Sequence, residues 1–467
     1  MKLKMQNLLN REIPYIQYKY VTSLGEALFL IAFFFFTFNS WFGLTGYQSF
    51  INFSLGELKK ICYGIALLSL CAKALLQHYK IKDLLAIGLL GALLFISSRY
   101  SASKTLIWIF LFTTTAQGIS LIPVSFVMLL VLTIIGILTF GGYAGGYISD
   151  SILTAIGSRG IRHSIGFTHP NTLAIYIFMA CLVCLVLKRW TVRWFDASVC
   201  VILALFMYRV TGSRTSLICF SIILFFIFYL LIVRPNLTDT ASDKVEKVTK
   251  ISITILTYII FVFSAVALFF YNPRYKFWKI ADSLSSGRFH LMHGYFKQFG
   301  LTPFGNTFTT APTQSYSLHG EPIRFVVDNL FARLLLQYGV ATGLVIIIGV
   351  LYCEWVLSKA SMSIFIPFSL FLVIGLMEAL CLWFHVDYFI LAISAVLYSR
   401  NPEYLNATDS LLNRVWLYRL LTGSPYKPHG LHNPRNNSPS YPNHMNPHVV
   451  RRSFHPAHAT KNQFSQE

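Results

Sequence analysis

The chain has 467 residues, of which 55% are hydrophobic and 12% are charged. Soluble proteins carry about 25% charged residues, so this composition excludes a water-soluble globule and indicates a polytopic membrane protein. The 38 Lys and Arg residues outnumber the 18 Asp and Glu residues and give a formal net charge of +20. Because the basic residues are scattered between apolar segments, we expect membrane lipids and anionic lipid-linked substrates as partners, and no nucleic acid.

Apolar runs of membrane-spanning length recur along the chain. A membrane-crossing helix needs about 20 mostly apolar residues. The runs predict an all-α, polytopic integral membrane protein with about 12 transmembrane helices. The predicted spans are residues 23–40, 58–76, 83–98, 104–118, 120–140, 171–187, 194–210, 215–233, 251–271, 331–353, 363–384 and 385–399.

The positions of Lys and Arg near the span ends predict the topology. Positively charged short loops stay on the cytoplasmic side, and an N-terminus inside the cell places most of these residues there. Both termini are therefore predicted to be cytoplasmic, with residues 1–400 forming the bundle and residues 401–467 a basic, His- and Pro-rich cytoplasmic tail. From Ser424 onward the tail lacks the apolar residues that a core requires, so we expect it to be largely disordered.

Two predicted outer connections exceed the others in length. Residues 141–170 join spans five and six, and residues 272–330 join spans nine and ten. Loops of this length inside a compact bundle are usually functional. The second loop carries six basic residues although it lies on the outer side, where short loops avoid positive charge. This exception favours an anionic ligand outside the membrane.

The turn between spans seven and eight, in the sequence MYRVTGSRTSLICF, carries Arg209 and Arg214. Gly212 permits a tight turn, and Thr215 or Ser216 is a candidate cap for the following helix. A guanidinium beside the free N–H groups of a helix start makes a good phosphate clamp, because its fork matches phosphate oxygens. The alternative is an arginine that only reaches toward lipid headgroups.

The long loop contains the sequence DSLSSGRFHLMHGYFKQFGLTPFGNTF, which predicts a short amphipathic helix. Arg288, His290 and Lys297 lie on this helix among aromatic residues. The combination suits a lipid-linked pyrophosphate together with sugar rings that stack on apolar faces. The alternative is an interfacial helix that rests on lipid headgroups.

The end of the long loop carries His319, Arg324, Asp328 and Asn329 just before span ten. A carboxylate at the membrane surface near an arginine is a candidate general base for a sugar hydroxyl. Asp328 is equally compatible with a structural role as the N-cap of the following helix.

His169 and Asn171 flank Pro170 at the start of span six, in the sequence GFTHPNTLAIY. Pro170 favours a helix start, so Asn171 either completes that turn or contacts a ligand, and His169 is either structural or catalytic. The chain has no Walker loop, dinucleotide fingerprint, HExxH motif or GxSxG elbow. No cofactor and no metal are therefore predicted, and nucleotide-driven pumping by this chain is not expected.

Three segments, in the order TGSRTSLI, SSGRFHLMHGYFKQFGLTPFGNTF and VVDNLFARLLLQYGVATG, resemble the O-antigen polymerase and ligase superfamily. Together with GFTHPNTLA they are most similar to Wzy-type polymerases of capsule, exopolysaccharide or O-antigen. The resemblance covers about residues 140–350. It implies a membrane glycosyltransferase of the bacterial cytoplasmic membrane whose active site is extracytoplasmic. The implied donor and acceptor are undecaprenyl-pyrophosphate-linked oligosaccharides, with a chain-length regulator and a flippase as further partners.

The resemblance also implies roles for single residues. By motif position, Arg214 and Arg288 correspond to the arginines that engage the pyrophosphate, in a reaction that needs neither metal nor nucleotide. Ligases of the superfamily usually have a His-Asn pair where this chain has Asp328 and Asn329, which leaves the general base open between Asp328 and His319. The expected substrate-binding residues are Arg209, His169, Asn171, His290, Lys297, Arg324 and Asn329.

Two other functions remain compatible with the sequence. One is a ligase-type glycan transferase, and the other, from a different class, is a multi-pass transporter or flippase of a lipid-linked glycan. Transporters tend to show internal repeats, broken helices and charges at mid-bilayer. This chain shows no obvious repeat and concentrates its polar residues in the predicted outer loops, which favours an enzyme.

Overall fold

The computed structural model describes residues 19–47, 54–154, 161–285, 287–307, 312–316, 322–324 and 327–423. Within these ranges most residues are helical, and the named strands form two short hairpins. The helices are α1 (Lys19–Phe42), α2 (Ser54–Leu75), α3 (Ile81–Ser101), α4 (Thr105–Thr115), α5 (Leu121–Ala144), α6 (Pro170–Leu187), α7 (Trp194–Thr211), α8 (Arg214–Phe228), α9 (Asp239–Phe270), α10 (Lys276–Leu284), α11 (Arg288–Phe299), α12 (Leu330–Gln337), α13 (Val340–Leu357), α14 (Met362–Ile374), α15 (Ile393–Leu397) and α16 (Trp416–Thr422).

The two hairpins lie in the two long connections between helices. Strands β1 (Leu153–Thr154) and β2 (Ile161–Arg162) pair antiparallel between α5 and α6. Strands β3 (Pro312–Tyr316) and β4 (Pro322–Arg324) pair antiparallel, with an irregular register, between α11 and α12. The long connections therefore carry local structure of their own.

The architecture is that of an all-α membrane protein, as the hydropathy pattern predicts. Among the described residues, eight helices are long and apolar enough to cross a membrane. Three shorter apolar stretches, residues 105–115, 362–374 and 388–397, occupy the positions of the predicted spans four, eleven and twelve. In lipid, an α-helix lets one segment form all the hydrogen bonds of its own backbone N–H and C=O groups.

Helix α6 lies at the centre of the bundle, and α3 lies at its edge. Nearly every side chain of α6 is buried, and the helix contacts α5, α7 and α8. A helix that is apolar all round and buried all round belongs to a core. Most apolar side chains of α3 are exposed instead, which suits a face that contacts lipid tails.

An aromatic cluster joins parts of the chain that are distant in sequence. Phe33 of α1 and Phe112 of α4 pack against Phe384 and Tyr388, and the rings of Phe112 and Phe384 stack at 4.4 Å between centroids. Because lipid tails are as apolar as phenylalanine, close packing holds these rings more than removal from water does. The cluster fixes the segment around Phe384, which borders the cavity described below.

The predicted span 331–353 is two helices, α12 and α13, separated at Tyr338 and Gly339. The backbone of Thr302 and Pro303 accepts hydrogen bonds from Val340 and from the residue after it, at 2.9 and 3.0 Å. Gly339 has a φ of +88°, which L side chains rarely adopt. The carbonyl groups of this loop thus accept hydrogen bonds that the preceding helical turn would accept in a continuous helix.

The predicted spans 363–384 and 385–399 are also corrected. Helix α14 ends at Ile374, and turns and 3₁₀ segments follow up to residue 392. The Gly375 carbonyl oxygen accepts the N–H of Leu330, the first residue of α12, at 2.7 Å. Irregular backbone at membrane depth is tolerated where protein buries it or where it lines a cavity. Leu380 and most of the residues up to 392 are buried, in agreement with this rule.

Residues 402–422, the first part of the predicted tail, form short helices that pack on the bundle. Tyr418 is fully buried, and Ser410 donates a hydrogen bond to the carboxylate of Glu26 in α1. The His- and Pro-rich sequence from Ser424 onward, for which disorder was predicted, lies outside the described residues.

Candidate functional site

A cavity opens at one end of the bundle, where several helix termini meet. It consists of two adjoining parts that share the side chains of Asn171, Ser213, Thr215 and Arg288. The larger part has a volume of about 230 Å³. Five of the expected site residues line this cavity: Arg214, Arg288, Asp328, His169 and Asn171.

The turn from α7 to α8 presents Arg214 to the cavity. Gly212 ends α7 with a φ of +58°, and the Ser213 hydroxyl accepts the N–H of Ser216, so Ser213 is the helix cap in place of the predicted Thr215 or Ser216. Arg214 is the first residue of α8 and is exposed. Its guanidinium has no carboxylate partner among the residues that the structure describes. The N–H groups of the first helical turn also lack acceptors within the helix, so this corner favours an anion.

Arg288 enters the cavity from the long loop and is tightly held. It is the first residue of α11, as the sequence predicts for the amphipathic helix. Its guanidinium donates to the Met377 carbonyl oxygen, to Glu378 Oε1 at 2.5 Å and lies 3.2 Å from Asp328 Oδ2. One cation therefore joins the loop, the start of α12 and the turn after α14.

Asn329 fixes the start of α12 next to Asp328. The Asn329 side chain accepts the N–H of Ala332 as the N-cap of α12, and its amide donates to Ser264 at 2.8 Å and to the Leu376 carbonyl oxygen at 3.1 Å. Asn329 is buried and does not line the cavity. The cap is thus Asn329, and the adjacent Asp328 is left available to face the cavity.

Burial shifts the acid–base properties of the two carboxyl groups. Burial raises the pKa of Asp328 above its ordinary value, and the attraction of Arg288 only partly opposes this. Burial likewise raises the pKa of Glu378, Arg288 opposes the shift, and repulsion from Asp328 adds to it. Carboxyl groups with raised pKa values are stronger bases once ionised.

Arg162 is a third arginine at the cavity, and the connection between α5 and α6 positions it. Its guanidinium donates to the Thr211 carbonyl oxygen and to Asn171 Oδ1, each at 2.5 Å. Asp150 fixes this connection, because its Oδ1 accepts the N–H groups of Ser164 and Ile165 at 2.8 and 2.9 Å. Arg162 thus ties the connection to the end of α7 and the start of α6.

His169 is the N-cap of α6, and its imidazole accepts a backbone hydrogen bond. Its Nδ1 accepts the N–H of Asn171 at 3.0 Å, so the neutral ring carries its proton on Nε2. Burial, followed by the nearby positive charge of Arg162, lowers the pKa of His169 below its usual range. The ring therefore stays neutral near pH 7.

The remaining expected residues lie elsewhere. Arg209, His290 and Lys297 are exposed and do not line the cavity. His319 lies outside the described residues, and the structure describes the backbone of Arg324 but not its side chain.

Two charged residues of the cavity, Arg162 and Glu378, and its tryptophan, Trp383, were not among the expected site residues. An acidic residue within a predicted span signals a functional site, and Glu378 fits that rule. Arg162 gives no such signal, because the sequence shows it only as one of several loop charges. Within the described residues, no group of three or more His, Cys, Asp or Glu side chains is placed to hold a metal ion.

The cavity can bind a polyanion beside a pair of carboxyl groups that accept protons. The cations come from three separate connections, and the carboxyls lie on both sides of Arg288. No protein-family model, curated protein or solved structure matches the chain in comparisons with all three.

Proposed function

We propose that the chain is a Wzy-type polysaccharide polymerase, a membrane glycosyltransferase that joins undecaprenyl-pyrophosphate-linked oligosaccharide repeat units. One observation carries the proposal. Arg214, Arg288 and Asp328, which the sequence separates widely, line a single cavity at one end of the bundle. The family resemblance assigns the pyrophosphate to Arg214 and Arg288, and it leaves Asp328 as one of two candidate bases.

The donor diphosphate binds at the corner formed by Arg214 and Arg162. Arg214 is exposed at the start of α8, where the N–H groups of the first turn and the positive end of the helix dipole add to its charge. Arg162 lines the same part of the cavity. Guanidinium groups bind phosphate oxygens through two parallel hydrogen bonds, so two arginines suit a diphosphate.

Arrival of the donor redistributes the bonds of Arg288. Without a ligand, this guanidinium pairs with the carboxylates of Asp328 and Glu378. A diphosphate competes for the same donors and releases Asp328 from its ion pair. Asp328 then accepts a proton from the acceptor hydroxyl, as its raised pKa favours.

The transfer forms one bond and breaks one. The acceptor oxygen attacks the anomeric carbon of the donor glycan, and the bond from that carbon to the diphosphate oxygen breaks. The undecaprenyl diphosphate leaves with the electron pair, and the arginines stabilise its charge. The reaction needs no nucleotide, because the diphosphate leaving group carries the driving force.

We place the cavity on the extracytoplasmic face of the bacterial cytoplasmic membrane. The connection between α6 and α7, at the opposite end of these helices from the cavity, carries Lys188, Arg189 and Arg193. Basic short connections favour the cytoplasmic side, which supports a cavity on the other side.

The test is polymerisation by the purified chain in detergent, with a lipid-linked repeat unit as the only substrate. A ladder of glycan lengths supports the proposal. Arg214→Ala should remove the ladder, whereas Arg209→Ala, which alters an exposed arginine outside the cavity, should leave it unchanged. A chain that moves the lipid across vesicles but makes no ladder is a transporter, and a chain that needs a separate acceptor such as lipid A core is a ligase.

A further inference from the structure

We propose that Trp383 forms the platform of a sugar-ring subsite in the cavity, beside the diphosphate corner. The subsite rests on the proposed function, and it assigns the sugar of the substrate to the larger part of the cavity. Trp383 lines that part together with Asp328, Glu378 and Arg288, and it is only partly buried.

The indole of Trp383 is held in a fixed plane. Its ring stacks on the imidazole of His385, with 5.9 Å between centroids and 15° between planes. Trp41 packs edge-on against His385 at 5.4 Å, and its Nε1 donates to the His385 carbonyl oxygen at 3.0 Å. A ring that is already oriented loses little conformational freedom when a ligand stacks on it.

The groups around the indole suit a sugar. A pyranose ring has one face rich in C–H groups, which packs on an aromatic ring, and an edge of hydroxyl groups that donate and accept hydrogen bonds. Asp328 and Glu378 accept hydrogen bonds from such hydroxyls, and the Nε2–H of His169 and the amide of Asn171 donate to them. A concave site with one aromatic wall and a few convergent polar groups is the usual form of a specific small-ligand site.

The subsite adjoins the diphosphate corner. The larger half of the cavity shares Asn171, Ser213, Thr215 and Arg288 with the half that contains Arg214. A sugar on Trp383 is therefore adjacent to a diphosphate at Arg214, as one glycosyl diphosphate requires. The headgroups of phosphatidylethanolamine and phosphatidylglycerol contain no ring next to their phosphate, so the aromatic wall favours a glycan over these phospholipids.

The test compares two kinds of lipid on the purified full chain. The probes are undecaprenyl diphosphate alone and the same lipid carrying glucose, galactose or N-acetylglucosamine. For the wild-type chain, at least one sugar-bearing lipid should bind about tenfold more tightly than the bare lipid, the size expected for one aromatic stacking contact with its hydrogen bonds. Trp383→Ala should abolish this gain and leave the affinity for the bare lipid unchanged, while Trp383→Phe should retain part of it.

Two control variants separate the possible failures. Trp355→Ala removes an exposed tryptophan of α13 away from the cavity and should keep the full sugar gain. Arg214→Ala should weaken both lipids equally. Suppose that the bare lipid binds in an Arg214-dependent manner. If Trp383→Ala then keeps the higher affinity for the sugar-bearing lipid, or if no sugar raises the affinity of the wild-type chain, the subsite is refuted and the proposed function stands. If neither lipid binds wild-type protein better than the Arg214→Ala variant, the proposed function fails and the subsite fails with it.

Discussion

Removal of the Arg288 guanidinium should destabilise the protein in a pH-dependent manner. Arg288→Ala leaves the carboxyl groups of Asp328 and Glu378 facing each other without their common partner. Breaking a fully buried ion pair from one side costs about 3–5 kcal/mol. The side chains of Arg288, Asp328 and Glu378 are 19%, 27% and 17% exposed, so solvent screening reduces the expected loss to about 2 kcal/mol at neutral pH.

The sign of the pH dependence follows from linkage. Arg288 lowers the pKa of both carboxyls, so its removal raises both values further in the folded state. A group whose pKa is raised by folding stabilises the fold below its unfolded pKa, near 4, and this contribution is lost as the pH rises through the folded value. The deficit of Arg288→Ala relative to wild type should therefore be small near pH 4 and large at pH 8.

The assay is unfolding of the purified protein in mixed micelles by titration with sodium dodecyl sulfate, at several pH values. Glu378→Gln in the Arg288→Ala background should recover about half of the loss, because it removes the repulsion between the two carboxyls. Arg209→Ala is the matched control and should change the free energy of unfolding by less than about 0.5 kcal/mol, since Arg209 is exposed. An Arg288→Ala deficit that equals the control at pH 8, or that does not vary with pH, refutes this reasoning.

Three further predictions concern the supporting structure and the base. Gly305→Ala should lower the free energy of unfolding by about 3 kcal/mol or more, because its φ is +105° and a methyl group would lie 2.2 Å from the Gln337 carbonyl oxygen. Gly349→Ala has open space inside α13 and should not lower the free energy of unfolding in the same titration. Arg162→Ala should make residues 161–168 more sensitive to limited proteolysis, since the bonds to the ends of α6 and α7 are lost, and should weaken binding of undecaprenyl diphosphate about tenfold. As the pH is lowered, kcat/KM for polymerisation should fall with a midpoint above about pH 4, because burial raises the pKa of Asp328. Asp328→Asn should leave a low rate that does not show this fall.

The sequence predicts the positions of most long apolar helices well, because their pattern depends on local composition. The predicted span 171–187 and helix α6 differ by one residue at the start, where Pro170 begins the helix as expected. The amphipathic helix of the long loop likewise begins at Arg288. Both starts are encoded by residues next to them in the chain.

The failures occur where distant contacts override local composition. The apolar sequence after Ile374 is compatible with a continuing helix, but the Gly375 carbonyl oxygen pairs with Leu330 and Leu376 pairs with Asn329. The break at Gly339 likewise depends on the backbone of Thr302, which lies in another segment. No local pattern contains this information.

The same distinction applies to the cavity. Arg214, Arg288 and Asp328 are recognisable as candidates because each stands at a helix start with a motif around it. The roles of Arg162 and Trp383 depend instead on contacts with residues that are remote in sequence, namely Thr211 for the arginine and, through His385, Trp41 for the indole. Such contacts become visible only in three dimensions.

The most direct measurement of the central claim is protection of the cavity mouth by undecaprenyl diphosphate in intact cells. Leu284 is 71% exposed and lines the same part of the cavity as Arg214, so Leu284→Cys places a thiol there. The exposed Cys71 and Cys184 are replaced by serine in this background, and Trp194→Cys, at the start of α7, reports on the opposite end.

A membrane-impermeant maleimide should label the thiol at position 284 from outside the cell, and undecaprenyl diphosphate should block that labelling unless Arg214 is replaced by Ala. The thiol at position 194 should react only after permeabilisation. Labelling of position 284 only from the cell interior, or labelling that the lipid leaves unchanged, would contradict the account of an external diphosphate site.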